Sequence, residues 1–315
     1  MTDLLDLVTG PLAYPFMQRA LLAAVLVGTV SAILSCYLIL KGWSLMGDAI
    51  SHAVLPGIVA AFMLGLPLSV GAFAAGFFCA LATGYLKENS RVKEDTVMGI
   101  VFSGMFALGL VMFTRVDTDQ HLNHILFGNL LGVSVADLIE LAIVSVVVVA
   151  IVLVRRRDLL LYCFDPAHAQ AIGLPVRMLH YGLLILLALT IVAALKAVGI
   201  ILVVAMLIAP GAIASLMTDR FETMLGVAVA SAVGSSVVGT LFSFHLDTAT
   251  GATIVLVQAS LFVLAFLFAP KRGVVWGGWG GRPKSAEPEV RTAVAKNANV
   301  QAAGEISVAE KSAPL

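Results

Sequence analysis

Residues 43–57 read Trp-Ser-Leu-Met-Gly-Asp-Ala-Ile-Ser-His-Ala-Val-Leu-Pro-Gly, and the apolar character of the chain continues to Leu66. A bilayer core of about 30 Å requires about 20 residues of helix, so this segment is long enough to cross a membrane. Asp48 and His52 interrupt it, and because they are spaced i, i+4, both side chains project from one helix face. The segment therefore predicts a membrane-spanning helix that carries a carboxylate and an imidazole within the hydrocarbon layer.

The composition of the whole chain agrees with a membrane location. Of its 315 residues, 60% are hydrophobic and 12% are charged, whereas an average soluble domain carries roughly 25% charged residues. A soluble fold of this length could not keep so much apolar surface away from water, so the excess must face lipid. The formal net charge is zero, and the chain therefore lacks the basic field that would indicate a nucleic-acid partner.

Nine apolar segments are long enough to span a bilayer, which predicts an all-α, polytopic transmembrane helical bundle. Eight spans are the alternative, because two pairs of segments are so closely joined that one element could be broken or re-entrant. The predicted spans are Phe16–Leu40, Trp43–Leu66, Pro67–Leu86, Asp95–Phe113, Val135–Val154, Met178–Lys196, Val198–Met217, Phe221–Phe244 and Gly251–Ala269.

Lys and Arg residues in the loops predict the orientation, because they concentrate on the cytoplasmic side of a membrane protein. With nine spans, the bias places the N-terminus outside and the C-terminus in the cytoplasm. Residues 1–270 would form the transmembrane domain. Residues 271–315 are rich in Gly, Pro and Ala without apolar periodicity, which predicts a disordered cytoplasmic tail. The cytoplasmic side would hold Lys41, Lys87, Arg91, Lys93, Arg155, Arg156, Arg157, Arg177, Arg220, Lys271 and Arg272, and the outer side Arg19, Arg115 and Lys196.

Asp48 and His52 are the candidate metal ligands. An isolated carboxylate in hydrocarbon costs at least about 2.5 kcal/mol, which a bound cation would offset. Carboxylate oxygen with imidazole nitrogen suits Mn²⁺, Fe²⁺ or Zn²⁺ better than Ca²⁺ or Mg²⁺. Two alternatives stay open: the two side chains pair with each other or with neighbouring helices, or they relay protons. Pro56 and Gly57 follow at the same depth and are expected to loosen the helix.

The remaining polar residues are weaker candidates. An outer loop after the fourth predicted span holds four of them, and a solvated loop explains them more simply than a metal site. His245 and Asp247 form a similar outer pair that a solvated loop also explains. His180 is expected to reach toward the interface from the start of the sixth span. The loop residues are Asp117, Asp119, His121 and His124. The three cysteines, expected to be buried apolar side chains, are Cys36, Cys79 and Cys163.

Residues 164–175 read Phe-Asp-Pro-Ala-His-Ala-Gln-Ala-Ile-Gly-Leu-Pro and lie between two predicted spans. Asp165 can act as the N-cap, Pro166 as the first helical residue and Gly173 as the terminator. We expect one short helix outside the membrane, which could dock a partner protein or simply connect the spans.

The chain contains no motif for an energy source or for hydrolytic chemistry. It lacks the G-x-x-x-x-G-K-[ST] phosphate loop and the H-E-x-x-H zinc motif. We therefore expect a transport subunit, not an enzyme, with ATP hydrolysis in a partner chain. Two rivals remain: a proton-coupled carrier that works without an ATPase, and a membrane enzyme with a resident metal. The absence of a third ligand or base at helical spacing from His52 disfavours the enzyme.

Several segments resemble the permease subunits of bacterial metal-ion ABC importers, most closely their manganese/iron (chelated iron) branch. The zinc permeases of the same family are the alternative. The likeness covers roughly residues 14–270, and the segment in the second span is highly specific. The segments that carry it are residues 41–57, 94–100, 124–129, 164–175 and 198–211.

The resemblance implies a bacterial inner-membrane complex with two permease subunits, identical or paralogous, two cytoplasmic ATP-binding subunits and an external metal-binding protein. It implies that Asp48 and His52 bind the transported ion, that no cofactor is permanently bound, and that the short helix is a coupling helix in a groove of the ATPase. The coupling residues would be Asp165, Pro166, Ala167, His168, Ala169, Gln170, Ala171, Ile172, Gly173 and Leu174.

Overall fold

The computed structural model describes residues 10–11, 13–43, 45–92, 94–115 and 130–269, and these residues form an all-helical bundle. Within this part of the chain, nine helical segments are long and apolar enough to cross a membrane, as predicted. The helices are α1 (Pro15–Lys41), α2 (Met46–Ala53), α3 (Leu55–Met63), α4 (Leu68–Asn89), α5 (Glu94–Phe113), α6 (Val135–Val154), α7 (Arg156–Phe164), α8 (Pro166–Ala171), α9 (Val176–Val198), α10 (Ile200–Met217), α11 (Phe221–Leu246) and α12 (Thr250–Phe268).

The second span is divided into α2 and α3, with a turn at Val54 between them. Pro56 has no N–H to donate to the carbonyl of His52, which interrupts the regular i→i−4 pattern at this depth. The loosening expected near Pro56 and Gly57 is therefore found at Val54, two residues before Pro56. It divides the half of the span that carries the polar pair from the half that packs against α4.

Two groups of helices form the bundle. In the first, α1 packs against α10 and α11, and α12 covers α10 and α11 from outside. In the second, α2, α3, α4 and α5 pack against one another, and α9 contacts both groups. The central helix α1 is buried along most of its length, whereas α12 exposes side chains such as Leu256, Val263 and Phe266. Such an apolar outer surface requires lipid around it.

The contact between α3 and α4 is close because glycines face each other. A methyl group added at Gly71 would overlap the carbonyl oxygen of Gly57 and lie 2.5 Å from the Cβ of Ala61. Ala75 lies against Gly57 in the same way. Small residues four positions apart on both helices allow the backbones to approach closely. The van der Waals packing that results stabilises the contact, because lipid provides no hydrophobic driving force between helices.

Side-chain contacts identify the two ends of the bundle. At one end, the Lys41 ammonium lies 4.2 Å from the ring centroid of Tyr162, and Arg156 lies 3.8 Å from Glu222. At the other end, Lys196 binds carboxylates at the start of α6. The end of α1 therefore lies with α7 and the start of α11, and the end of α9 lies with the start of α6.

Three predictions about the chain's organisation have different outcomes. The all-α bundle is confirmed, and nine candidate spans are found in the described residues in place of the alternative of eight. Helix α7 was not predicted. Residues 270–315 lie outside the described residues, so the division into a membrane domain and a disordered tail stays a prediction.

Candidate functional site

The polar pair lies on α2, whose position is fixed by small residues. A methyl group added at Gly47 would lie 3.0 Å from Leu207 of α10, so α2 packs closely against that helix. Ala49, Ile50 and Ala53 are buried on the inner faces of α2. The side chains of Asp48 and His52, on the same helix, are only partly covered by the rest of the chain.

The side chains of His52 and Asp48 are in contact with each other. The Nδ1 atom of His52 lies 3.0 Å from the backbone carbonyl oxygen of Asp48 and 3.3 Å from its carboxylate oxygen Oδ1. The exposed fractions of the two side chains are 33% and 38%. The pair is therefore neither sealed inside the single chain nor fully exposed at its surface.

The geometry of the pair suits a shared metal ion. With bonds of about 2.1 Å to each atom, the 3.3 Å separation of Nδ1 and Oδ1 corresponds to an angle of about 100° at the metal. This angle lies between the tetrahedral value and the right angle of an octahedral shell. Without metal, the tautomer with its proton on Nδ1 can donate to the Asp48 carbonyl instead, so an ion bound at Nδ1 requires the other tautomer, with the proton on Nε2.

Two aromatic rings of α5 hold the imidazole in place. The ring centroid of His52 lies 5.6 Å from that of Phe106, nearly perpendicular to it, and 6.2 Å from that of Phe102. The sequence shows Phe at i and i+4 on α5 but gives no sign of which face of this apolar helix meets α2. These two residues were therefore missed.

The described residues contain no group of three or more His, Cys, Asp or Glu side chains that could hold a metal ion. The pair supplies two donor atoms, and tetrahedral or octahedral coordination needs at least two more. Asp117, Asp119, His121 and His124 lie outside the described residues.

The short helix between spans has the predicted caps. The carboxylate Oδ1 of Asp165 accepts a hydrogen bond of 2.9 Å from the backbone N–H of His168, and Pro166 is the first residue of α8. The helix is followed by Gly173 with φ of 86°. Phe164 and Ile172 on either side are 79% and 57% exposed. An exposed apolar pair outside the membrane spans is available for contact with a partner.

Two other predictions, about thiol and polar groups, can be compared with the structure. The thiols of Cys36, Cys79 and Cys163 are buried, as expected. Burial raises the pKa of the Cys163 thiol, which lies on α7 outside the spans, to about 12. His245 is exposed and bonds to the carbonyl of Leu241 in its own helix, in agreement with a solvated role.

His180 has a partner that was not predicted, and its position at the interface stays a prediction. Its Nδ1 atom shares a 2.8 Å hydrogen bond with the Tyr162 hydroxyl of α7. Its ring also meets the buried Trp43 edge-on, with centroids 5.2 Å apart. This contact was missed because α7, which supplies Tyr162, was not predicted.

A second ionic group lies at the opposite end of the bundle. The Lys196 ammonium is 2.7 Å from the Glu140 carboxylate and 3.2 Å from the Asp137 carboxylate, which joins α9 to α6. A cavity of about 440 Å³ opens beside Asp137 and Lys196 and is lined mostly by apolar residues. Because the ammonium already neutralises the carboxylates, this cluster is a less suitable cation site than Asp48 and His52.

The chain is similar to characterised transport proteins over most of its length. It is 65% identical to the chelated iron transport system membrane protein YfeD of Yersinia pestis over 268 residues, which covers 85% of this chain and 90% of that one. It is 51% identical to the manganese transport system membrane protein MntB of Synechocystis over 286 residues, which covers 90% of this chain and 94% of that one.

Structural similarity agrees with the sequence similarity. The solved structure of PsaBC from Streptococcus pneumoniae in complex with Fab superposes with a TM-score of 0.77 at 39% identity, covering 85% of this chain and 97% of that one. The family model described as the ABC 3 transport family matches residues 13–269, which include every membrane-spanning helix described above. The chain therefore belongs to the ABC 3 transport family.

Proposed function

We propose that this chain is the membrane-spanning permease subunit of an ATP-driven importer of Mn²⁺ and Fe²⁺. The observation that carries the proposal is the partly exposed Asp48–His52 pair on a membrane-spanning helix, with donor atoms 3.3 Å apart. The relatives named above belong to iron and manganese transport systems. Carboxylate and imidazole also accept Zn²⁺, so a zinc permease of the same family is the alternative.

The incomplete ligand set favours a shared site. Two donor atoms from one chain hold an ion weakly, and a second permease copy, identical or paralogous, would supply a second pair. Weak and exchangeable coordination suits transport, because a tight closed shell would retain the ion. No permanently bound cofactor is needed, since the metal is the cargo.

The proposed mechanism is alternating access. An external metal-binding protein docks on the outer side and releases an ion to Asp48 and His52 between the two permease subunits. ATP binding and hydrolysis in cytoplasmic partner subunits displace the segment 165–174, which acts as the coupling helix. The spans then shift and open the site to the cytoplasm.

This mechanism needs the orientation that the loop charges predict. The N-terminus would be outside the bacterial inner membrane and the C-terminus in the cytoplasm. The exposed Phe164 and Ile172 beside α8 provide apolar contacts for the ATPase.

Metal accumulation in bacterial cells that lack their own Mn²⁺ and Fe²⁺ importers tests the function. Cells would express this chain with its ATPase and binding-protein partners, or without the ATPase, and be offered Mn²⁺, Fe²⁺ and Zn²⁺ separately. We expect accumulation of Mn²⁺ and Fe²⁺ only with the ATPase. Transport without the ATPase would identify a proton-coupled carrier, and accumulation of Zn²⁺ alone would identify a zinc permease.

A further inference from the structure

A cluster of four side chains connects the proposed coupling helix to the metal-site helix; it consists of Lys41, Trp43, Tyr162 and His180 and is called the Tyr162–His180 cluster below. Tyr162 is 2% exposed and Trp43 is 1% exposed. The Tyr162 hydroxyl and His180 Nδ1 are 2.8 Å apart. These are partly buried contacts between α7, α9, the last residue of α1 and the connection from α1 to α2, at the end of the bundle where α8 lies.

The cluster is joined directly to α8. Only Asp165 separates α7 from α8, and the backbone N–H of Asp165 donates to the carbonyl of Leu161, one residue before Tyr162. Ala169 of α8 is fully buried. The short helices α7 and α8 therefore form a continuous connection from the proposed coupling helix to Tyr162.

The cluster is also joined directly to α2. Helix α1 ends at Gly42, whose φ of 76° favours glycine, and the N–H of Trp43 donates back to the carbonyl of Leu38 at 2.8 Å. The carbonyl of Trp43 in turn accepts a 3.1 Å hydrogen bond from Met46, the first residue of α2. The Trp43 backbone therefore links the end of α1 to the first turn of the helix that carries Asp48.

Three further contacts hold the cluster together. The Lys41 ammonium lies 4.2 Å from the Tyr162 ring centroid, within cation–π range. The ring of His180 meets that of Trp43 edge-on at 5.2 Å. A methyl group added at Gly84 of α4 would lie 3.1 Å from His180 Nε2, so α4 closes the remaining side. The imidazole has little room to move independently of its neighbours.

We infer that the Tyr162–His180 hydrogen bond transmits displacement of the coupling helix to Asp48 and His52, which makes Tyr162 and His180 positioning residues for the metal site. The inference rests on the proposed function. The alternative is that the cluster only stabilises the fold, and the two roles predict different effects on coupling. A packed network with two arrangements is the physical requirement for such transmission.

The ratio of Mn²⁺ transported to ATP hydrolysed separates the two roles. It would be measured in proteoliposomes that hold the complete complex of permease and ATPase subunits, with Mn²⁺ supplied on the binding protein. Tyr162→Phe keeps the ring and its cation–π contact but removes the hydrogen bond. We expect the ratio to fall about two- to tenfold, the range for one lost hydrogen bond, while ATP hydrolysis continues.

Tyr181→Phe is the matched control, since it removes a hydroxyl from the neighbouring residue of α9 and should leave the ratio unchanged. His180→Phe is the second variant: it keeps an aromatic ring beside Trp43 but cannot bond to Tyr162. It should lower the ratio as Tyr162→Phe does, and the double variant should show no further fall.

Two results would overturn the link. The first is an unchanged ratio in both single variants, including a proportional loss of transport and hydrolysis, and the second is a double variant whose fall is the product of the two single falls. These results differ from a failure of the proposed function itself. In that case the wild-type complex would move no Mn²⁺, or would move it without ATP.

Discussion

The crossing of α3 and α4 gives a sharp prediction about packing, because one chemical change should have opposite effects at two glycines. Gly71→Ala places a methyl group 2.5 Å from the Cβ of Ala61 and onto the carbonyl oxygen of Gly57. Optimal carbon contacts are about 3.5–4.0 Å, so the two helices must separate by roughly 1 Å. Gly104→Ala on α5 places the same methyl group in open space.

The expected change in stability is the sum of two opposing contributions. Overpacking costs about 1–3 kcal/mol, and the backbone overlap at Gly71 places this site at the upper end. Replacement of Gly by Ala inside a helix returns about 1 kcal/mol at either position. We expect the free energy of unfolding to fall by about 2 kcal/mol in Gly71→Ala and to rise by about 1 kcal/mol in Gly104→Ala. At roughly 2–4 °C per kcal/mol, the Tm values of the two variants should differ by about 6–12 °C.

Thermal unfolding of the purified chain in detergent would measure this difference. The thiols of Cys36, Cys79 and Cys163 are buried, so a thiol-reactive fluorescent dye reports unfolding directly. Equal Tm values for the two alanine variants, or a higher value for Gly71→Ala, would show that α3 and α4 do not approach as closely as described.

Two further predictions concern charge and thiol reactivity. Lys196→Met leaves Asp137 and Glu140 without their cation. Because the group is partly exposed, we expect the free energy of unfolding in detergent to fall by about 1–2 kcal/mol. Lys196→Arg is the control, and a Met variant as stable as the wild type would contradict the ion cluster. In a variant that lacks Cys36 and Cys79, the pKa of about 12 means that only about one Cys163 thiol in ten thousand is ionised at pH 8. Maleimide should therefore label Cys163 at pH 8 only after unfolding, and rapid labelling of the folded protein would refute its burial.

The long helices could be predicted from the sequence because apolar length alone determines them in lipid. Predicted and observed bounds for the fifth span agree, Val135–Val154 in both. The cap of α8 was also predictable, because Asp165, Pro166 and Gly173 each have a local conformational preference. In the same way, the pair at Asp48 and His52 follows from helical spacing within one segment.

Tertiary contacts could not be predicted in this way. Helix α7 begins with Arg156, Arg157 and Asp158, which resemble a charged loop, although its inner face buries Leu159 and Tyr162. The partners of His180 depend on that helix. The ion cluster at Lys196 joins residues more than 50 positions apart, and nothing in uniformly apolar spans indicates which of their faces meet.

Mn²⁺ accumulation by cells that express Asp48→Ala together with the partner subunits tests the central claim most directly. Ser51→Ala is the matched control, because its buried hydroxyl donates to the Gly47 carbonyl of the same helix, at 2.7 Å. With equal amounts of both variants in the membrane, we predict background accumulation for Asp48→Ala and wild-type accumulation for Ser51→Ala. Wild-type accumulation by Asp48→Ala would contradict the assignment of this carboxylate to the transported ion.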